Sequence, residues 1–360
     1  LIAEVAVPLD LDQTFDYAVL PLMAGQMRPG QYVQVRLGKQ LTEGFIVRLK
    51  RETTYPGELS PLLKILEPEP LFGEQELALA RWLADRYLTP LGLVLQTITP
   101  VKHPQARRLG AKASRSYVRL AVELEEALHE LERLRTRRAS KQAALLRALI
   151  ALEAPPLATE LLRLADARPP ALRALLQRGL VRLELEPRGR GVGFGEPKRY
   201  ELTAEQRKAA TAIIEALEGH PKAFLLHGVN GSGKTEVYLE AAERALAAGK
   251  QVIIAVPEIA LTPQLTARFR ARFGDRVAVF HSGMTEAQRA AEWARMRAGE
   301  ARLVIGVRAA IFAPFKNLGL IVVDEEHEPT YKQEQPAPRY HLREVALKRA
   351  ELSGATVVLG

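Results

Sequence analysis

The period of the apolar positions differs between the two ends of this chain. Near the start it is two. Ala3-Glu-Val-Ala-Val7 alternates, as do Tyr32-Val-Gln-Val-Arg-Leu37, after the turn signal Arg28-Pro-Gly30, and Gly44-Phe-Ile-Val-Arg-Leu49, after Gly38-Lys-Gln40. Alternation predicts half-buried strands, and short strands between Gly/Pro turns predict a small barrel or sandwich. Gln75 to Leu88 then takes helical spacing and carries Trp82 and Tyr87. Residues 1–100 therefore read as a mostly β module followed by a helix.

The middle of the chain is different. Residues 101–139 are polar, with a basic stretch (Arg107, Arg108, Lys112, Arg115, Arg119) and then an acidic one from Glu123 to Glu132. This pattern predicts a solvated linker and helix surface. Residues 140–187 predict a winged helix-turn-helix. Ser140 caps a helix to about Leu152, a second runs from Leu157 to Ala165, and a third opens at Arg168-Pro-Pro170 and ends at Gly179. Pro suits the first turn of that third helix. Leu180-Val-Arg-Leu-Glu-Leu185 alternates like one strand of a wing. With Arg173 and Arg178, the third helix suits a DNA groove; a packing or protein-contact module is the competing reading. Arg188 to Gly195 reads as a Gly-rich joint within a linker at 188–199.

Residues 200–360 alternate short apolar runs with helical segments, which predicts an α/β domain on a parallel sheet. The strand candidates are Phe224–Leu226, Val252–Val256, Val277–Phe280, Leu303–Ile305, Leu320–Val323 and Thr356–Leu359. Between the first strand and a helix from Glu236 to Ala248 stands Gly228-Val-Asn-Gly-Ser-Gly-Lys-Thr235, with the spacing G-x-x-x-x-G-K-T. Gly228, Gly231 and Gly233 let backbone N–H groups, including that of Ser232, turn toward an anion. Lys234 reaches the β/γ-phosphates and the Thr235 hydroxyl suits Mg²⁺.

Leu320-Ile-Val-Val-Asp324 is an apolar strand ending in a carboxylate, followed by Glu325, Glu326 and His327. Asp324, about 90 residues after Lys234, is placed to hold Mg²⁺. Glu325 is the candidate general base or the group that orients the attacking water, and His327 completes a D-E-E-H box. Gln206 offers a donor and an acceptor to an adenine edge; the competing reading is a helix-start residue behind the cap Thr203. Thr262 and Gln264, His281-Ser-Gly283 and Gly306-Val-Arg308 all follow strands, at the carboxyl edge where such sheets bind ligands. Several such loops on one edge suggest a nucleic-acid track. Tyr331-Lys332-Gln333 and Arg339-Tyr340-His341 flank a Pro-rich loop, and aromatics among cations suit stacking on bases. A packed loop would carry the same letters.

Composition narrows the classes. The hydrophobic share of 47% and charged share of 26% suit a soluble folded protein, and 360 residues suffice for two or three domains. No run is long enough to predict a membrane span, and no secretory signal is visible, so the cytoplasm is expected. Cys is 0, which excludes disulfides and cysteine–zinc sites within these residues. Net charge is +9, which favours a polyanionic partner. The chain does not begin with Met and is expected to be part of a longer protein.

Together these motifs resemble the primosomal protein N′ family of bacterial replication-restart helicases, in superfamily 2. The resemblance runs nearly end to end: Thr14-Phe-Asp-Tyr17, Gly38-Lys-Gln40, Trp82, Tyr87, Pro90-Leu-Gly92, Lys141-Gln-Ala-Ala-Leu145, Gly231-Ser-Gly-Lys-Thr-Glu-Val-Tyr238, Pro257-Glu-Ile259, Asp324-Glu-Glu-His327 and the flanks of the Pro-rich loop. It implies a 3′-end DNA-binding domain, a winged-helix domain and a RecA-like P-loop lobe. Phe15, Asp16, Gly38 and Lys64 would line a pocket for the terminal nucleotide and its 3′-hydroxyl. Lys234, Thr235, Asp324, Glu325 and His327 would form the ATPase centre, with Gln206 on adenine. Thr262, Gln264, Arg308, Tyr331, Lys332, Arg339, Tyr340 and His341 would meet DNA, and the aromatic-rich loop would couple DNA to hydrolysis.

The implied activity is ATP-dependent 3′→5′ unwinding at stalled forks, opening primosome assembly. The implied cofactors are ATP and Mg²⁺. The implied partners are forked and single-stranded DNA, single-strand-binding protein and primosome proteins, with no membrane. A fork-binding scaffold with a secondary or lost motor is the alternative, and a duplex-DNA translocase a third. Three positions depart from the family: Val307 and Ala309 stand where hydroxyl residues are usual, and Asn230 replaces a usual Thr. The family also continues beyond the point matched by Gly360, into a second lobe with an arginine finger and zinc-binding cysteines. The 360 residues alone are therefore expected to bind DNA with little ATP turnover.

Overall fold

A computed structural model of the chain describes residues 1–99, 116–136, 140–152, 156, 158–185, 200–229 and 231–360. The Gly-rich joint, Asn230 and the basic positions Arg107, Arg108, Lys112 and Arg115 lie outside the described residues. Packing divides the chain into two compact units. One comprises residues 1–107 and 193–360, the other residues 108–192.

The first unit opens with an antiparallel sheet. Its strands are β1 (Ile2–Ala6), β2 (Phe15–Ala18), β3 (Tyr32–Leu37), β4 (Gln40–Lys50) and β5 (Lys64–Glu67), in the order β2-β1-β4-β3-β5. A single helical turn, α1 (Pro21–Ala24), separates β2 from β3. The edges are drawn together by Ser60–Leu62: the Ala18 N–H donates to the Ser60 carbonyl (3.0 Å) and the Leu62 N–H to the Ala18 carbonyl (2.9 Å). One face holds Val5, Val33, Val35, Ile46 and Leu62 in a closed interior. The opposite face, with Tyr32, Phe45 and Val47, packs under α2 (Glu74–Arg86) and α3 (Leu91–Ile98).

The α/β lobe follows, with a six-stranded parallel sheet of order β10-β11-β9-β12-β13-β8. Its strands are β8 (Ala223–Leu225), β9 (Gln251–Ala255), β10 (Val277–Phe280), β11 (Leu303–Gly306), β12 (Leu318–Val323) and β13 (Thr356–Leu359). Every residue of β12 is buried. Such continuous apolar runs are what a parallel strand covered on both faces requires. The covering helices are α8 (Ala204–Glu218), α9 (Lys234–Ala247), α10 (Pro263–Phe273), α11 (Glu286–Arg297) and α12 (Leu342–Ser353).

The β module and this lobe share one core. Leu79, Leu83 and Val94 of the module's helices belong to the same apolar cluster as Trp293, Phe312, Phe315 and Val345 of the lobe. Arg349 of α12 is buried there and donates to the main-chain carbonyls of Ile311 and Ala313. Burial lowers its pKa to about 10, and each carbonyl accepts from one of its two terminal nitrogens.

The second unit holds β6 (Ser116–Leu120), α4 (Leu124–Thr136), α5 (Ser140–Ala151), α6 (Ala158–Leu164), α7 (Pro169–Gln177) and β7 (Val181–Leu185). The three helices from α5 onward and β7 stand where the pattern puts them. The partner of β7 is β6, antiparallel and upstream of the helices. The stretch read as a solvated linker and helix surface thus supplies a strand beside its helix. Val118 of β6 and Leu131 and Leu134 of α4 share a core with Leu145, Leu149 and Leu175. Arg173 is exposed, whereas Arg178 pairs with Glu130 of α4 at 2.9 Å.

Candidate functional site

The phosphate loop runs from the carboxyl end of β8 into α9. Gly233 sits at the N-cap of α9 with φ 82°, a left-handed conformation that glycine adopts without strain. A Cβ at Gly233 would lie 2.4 Å from the Gln206 Nε2. Lys234 and Thr235 open the helix, where unpaired N–H groups and the helix dipole favour an anion. The Lys234 ammonium donates to the Gly228 carbonyl (3.2 Å) and stands 3.6 Å from Glu325 Oε1. Gln206 braces the loop with both ends of its amide. Its Nε2 donates to the Ser232 carbonyl (2.8 Å) and its Oε1 accepts from the Thr203 N–H (2.9 Å). Each end of the amide keeps one further hydrogen-bonding site, an N–H and a lone pair, for an adenine edge.

Asp324 follows β12 and faces the loop. Its carboxylate oxygen Oδ1 accepts from the Tyr238 hydroxyl (3.0 Å), and its main-chain carbonyl accepts from the Tyr331 hydroxyl (2.6 Å). Burial raises the Asp324 carboxyl and the nearby Glu325 charge adds to this, while Tyr238 and Lys234 pull it down; the net shift is upward. Burial, and next the Asp324 charge, push both phenols well above the ordinary tyrosine value, so they stay protonated donors. Glu325 has φ 49°, a conformation a non-glycine residue holds at some cost. That turn brings its carboxylate between Lys234 and His327, the latter at 3.7 Å and largely exposed. Thr235 and Asp324 offer the hard oxygen donors that Mg²⁺ takes with phosphate oxygens, so the residues fit that ion.

Beside this centre, the loops after β9, β10, β11 and β12 enclose an open cleft of about 1270 Å³, lined by His281, Ser282, Arg308, Lys332 and Arg339 among others. Val307 and Ala309 also line it. Thr262 caps α10, accepting from the Leu265 N–H at 3.2 Å, and Gln264 is exposed in its first turn. Two expectations need correction here. Tyr331 and Tyr340 are each 1% exposed, so neither offers a face to a base. Tyr331 turns inward to the Asp324 carbonyl, and Tyr340 packs edge-on against Phe312, with centroids 5.2 Å apart. Arg308 also holds the loop, donating to the carbonyls of Thr330 and Lys332 at 3.0 Å each. Lys332 and Arg339 are exposed, and the Lys332 ammonium donates to the Arg339 carbonyl (2.5 Å) and lies 5.2 Å from the Tyr87 ring centroid. His341 caps α12, its Nδ1 accepting from the Arg343 N–H (3.2 Å), and burial lowers its pKa.

In the β module, Phe15 and Asp16 stand on β2, Gly38 in the β3–β4 turn and Lys64 on β5. Phe15 is half-buried against the interior, while Gly38 and Lys64 are exposed. Asp16 Oδ2 pairs with Lys50 at 2.8 Å and accepts from the Thr53 hydroxyl. Neither Lys50 nor Thr53 stands out in the sequence. The one available signal is register: Glu4 lies opposite both Asp16 and Arg48, so Lys50, two residues beyond, shares their face. Burial would raise the Asp16 carboxyl, but Lys50, Thr53 and Arg48 outweigh it, and its pKa is lowered. A carboxyl depressed in the folded protein stabilises it above the unfolded pKa, and that share is lost as pH falls through the folded value. The stability advantage of the protein over Asp16→Asn should therefore hold near neutrality and shrink below about pH 4. Urea unfolding across pH would show it, and a constant difference would contradict it.

The comparisons agree with this division. Residues 4–100 match the model of a 3′DNA-binding domain (3′BD), and residues 203–358 match that of the DEAD/DEAH box helicases. The replication restart protein PriA of Bacillus subtilis is 35% identical, over 98% of this chain and 51% of its own. That of Chlamydia pneumoniae is 34% identical, over 100% of this chain and 48% of its own. The chain thus spans about half the length of the curated relatives it matches. A solved hypothetical ATP-dependent RNA helicase from Sulfolobus tokodaii overlays 45% of this chain and 47% of its own, with TM-score 0.33 and 20% identity, and carries no weight here. With both modules matched in order and the likeness running the length of the chain, the chain belongs to the replication restart protein PriA family.

Proposed function

We propose that this chain is the strand-end-binding and first motor portion of an ATP-dependent 3′→5′ DNA helicase that recognises stalled forks in replication restart. The observation that carries this reading is the meeting of Lys234 and Glu325, 3.6 Å apart at the carboxyl edge of one parallel sheet. Phosphate-binding and water-activating groups separated by 91 positions in sequence belong to one centre. Bound Mg²⁺ would neutralise charge on the phosphates. Lys234 binds the β/γ-phosphates, Thr235 and Asp324 hold the metal, and Glu325 orients the attacking water and takes its proton. Lys332 and Arg339 contact the DNA backbone along the adjoining cleft.

The β module supplies the address. Two acceptor sites of Asp16 are taken by Lys50 and Thr53, both on Oδ2. A carboxylate has further lone pairs, and a terminal 3′-hydroxyl can donate to them. Phe15 offers a partial stacking face and Lys64 a phosphate contact. In this reading, a fork whose nascent leading strand ends in a 3′-hydroxyl binds more tightly than one ending in 3′-phosphate. The expected factor is on the order of ten, the worth of one hydrogen bond to a charged group. Asp16→Ala should erase the preference. Equal binding of the two forks by the unaltered chain would remove the strand-end role.

The reading extends to primosome assembly and to contact with single-strand-binding protein. No helix of the described residues is long and apolar enough to cross a membrane.

A further inference from the structure

Tyr238 lies four residues after Lys234 on α9, so the helix that starts at the phosphate loop carries both on one face. Its ring is 2% exposed in the apolar core beneath the sheet. Its hydroxyl reaches Asp324 Oδ1 at 3.0 Å. The chain leaves space for that hydroxyl only because residue 360 is glycine: a Cβ there would lie 1.7 Å from the phenol oxygen. From the other side, Tyr331 donates to the Asp324 carbonyl at 2.6 Å. The Asp324 N–H donates to the Ala255 carbonyl at 2.9 Å, continuing the sheet. Donor, acceptor and one carboxylate oxygen of Asp324 are therefore each fixed by a different element: β9, the loop after β12, and α9.

We propose that Tyr238 is a positioning residue for the metal-holding carboxylate, assisted by Tyr331, and that together they set how strongly Mg²⁺ contributes to nucleotide binding. The proposal rests on reading Asp324 as the Mg²⁺ ligand. A carboxylate that binds a cation through one oxygen gains when a donor on the other fixes its rotation, since the ordering cost is met before the metal arrives. Neither phenol touches nucleotide or metal in this account. They act through Asp324. The apolar packing of Tyr238 alone would explain a buried ring, but it would not aim the hydroxyl at the Asp324 carboxylate.

The test is a titration of the 360-residue chain with mant-ATP, once in saturating Mg²⁺ and once in EDTA. The readout is the ratio of the two affinities. In Tyr238→Phe, which keeps the ring, the ratio should fall about tenfold, within the range for residues that orient a metal ligand. Tyr331→Phe, on another element, should move it in the same direction, which separates the effect from any folding defect of a single variant. An unchanged ratio in Tyr238→Phe, whether both affinities stay put or fall by the same factor, overturns the proposal and leaves the tyrosine with a packing role. If the unaltered chain shows no Mg²⁺ dependence, the Mg²⁺–ATP reading of the site fails first and this proposal with it.

Discussion

Lys234→Ala is expected to weaken nucleoside triphosphate binding by about two to three orders of magnitude while leaving DNA binding in place. The Lys234 side chain is only 14% exposed and stands between the Gly228 carbonyl and Glu325. At such a site, screening is weak. A unit charge about 4 Å from a phosphate oxygen is worth about 4 kcal/mol at an effective dielectric of about 20. Truncating one partner of a buried, hydrogen-bonded charge pair costs about 2–5 kcal/mol, and the middle of that range, about 3–4 kcal/mol, converts to the stated loss. Fluorescent-nucleotide titration of the 360-residue chain measures it directly, with single-stranded and forked DNA titrations as the second arm. Retained nucleotide affinity would remove Lys234 from the phosphate site. In a protein that contains this chain and unwinds DNA, unwinding should vanish while fork binding survives. If restart activity also survived, the fork-binding scaffold would become the better reading.

The α/β lobe is largely legible in the sequence because its central strands are buried on both faces. A run such as Leu320–Val323 cannot be anything but covered, and its carboxyl end is where Asp324 must stand. The phosphate loop is legible because its chemistry needs glycines, a lysine and a hydroxyl at fixed spacing. Where the sequence misleads, the deciding partner is far along the chain. Tyr and cation letters suit a stacking surface and a packed loop equally well. Phe312 covers Tyr340, and Asp324 takes the Tyr331 hydroxyl. The strand within the stretch read as a linker and helix surface is hidden for the same reason: β6 is only five residues long, and its partner β7 comes some 60 residues later. Gln206 shows a third kind of limit. Its capping position is legible, but the Ser232 carbonyl that its amide also holds lies 26 residues on, and spacing alone does not show that bond.

The correction at Tyr340 carries the second large effect. Tyr340→Ala is expected to destabilise the first unit by about 3–5 kcal/mol, the range for emptying a large aromatic site in a packed core. The ring is 1% exposed and edge-on to Phe312 at 5.2 Å, a geometry worth about 0.5–1.5 kcal/mol beyond area alone. The Arg308 guanidinium lies 5.8 Å from its centroid on another side. Burial pushes the phenol up to about 12, against the lowering influence of Arg308. Tyr340→Phe keeps the ring and loses only the hydroxyl, so its cost should stay near the 0.5–1.5 kcal/mol of a single hydrogen bond. Urea unfolding of both variants measures the pair. A base-stacking role makes the opposite forecast: Tyr340→Ala would leave stability nearly intact and cost about 1–3 kcal/mol in single-stranded DNA affinity. The two readings therefore part on one residue and two titrations. If packing governs, any DNA defect of Tyr340→Ala should track unfolding of the loop and disappear in Tyr340→Phe. Arg339→Ala, whose side chain is exposed, should then weaken DNA binding without changing the urea midpoint.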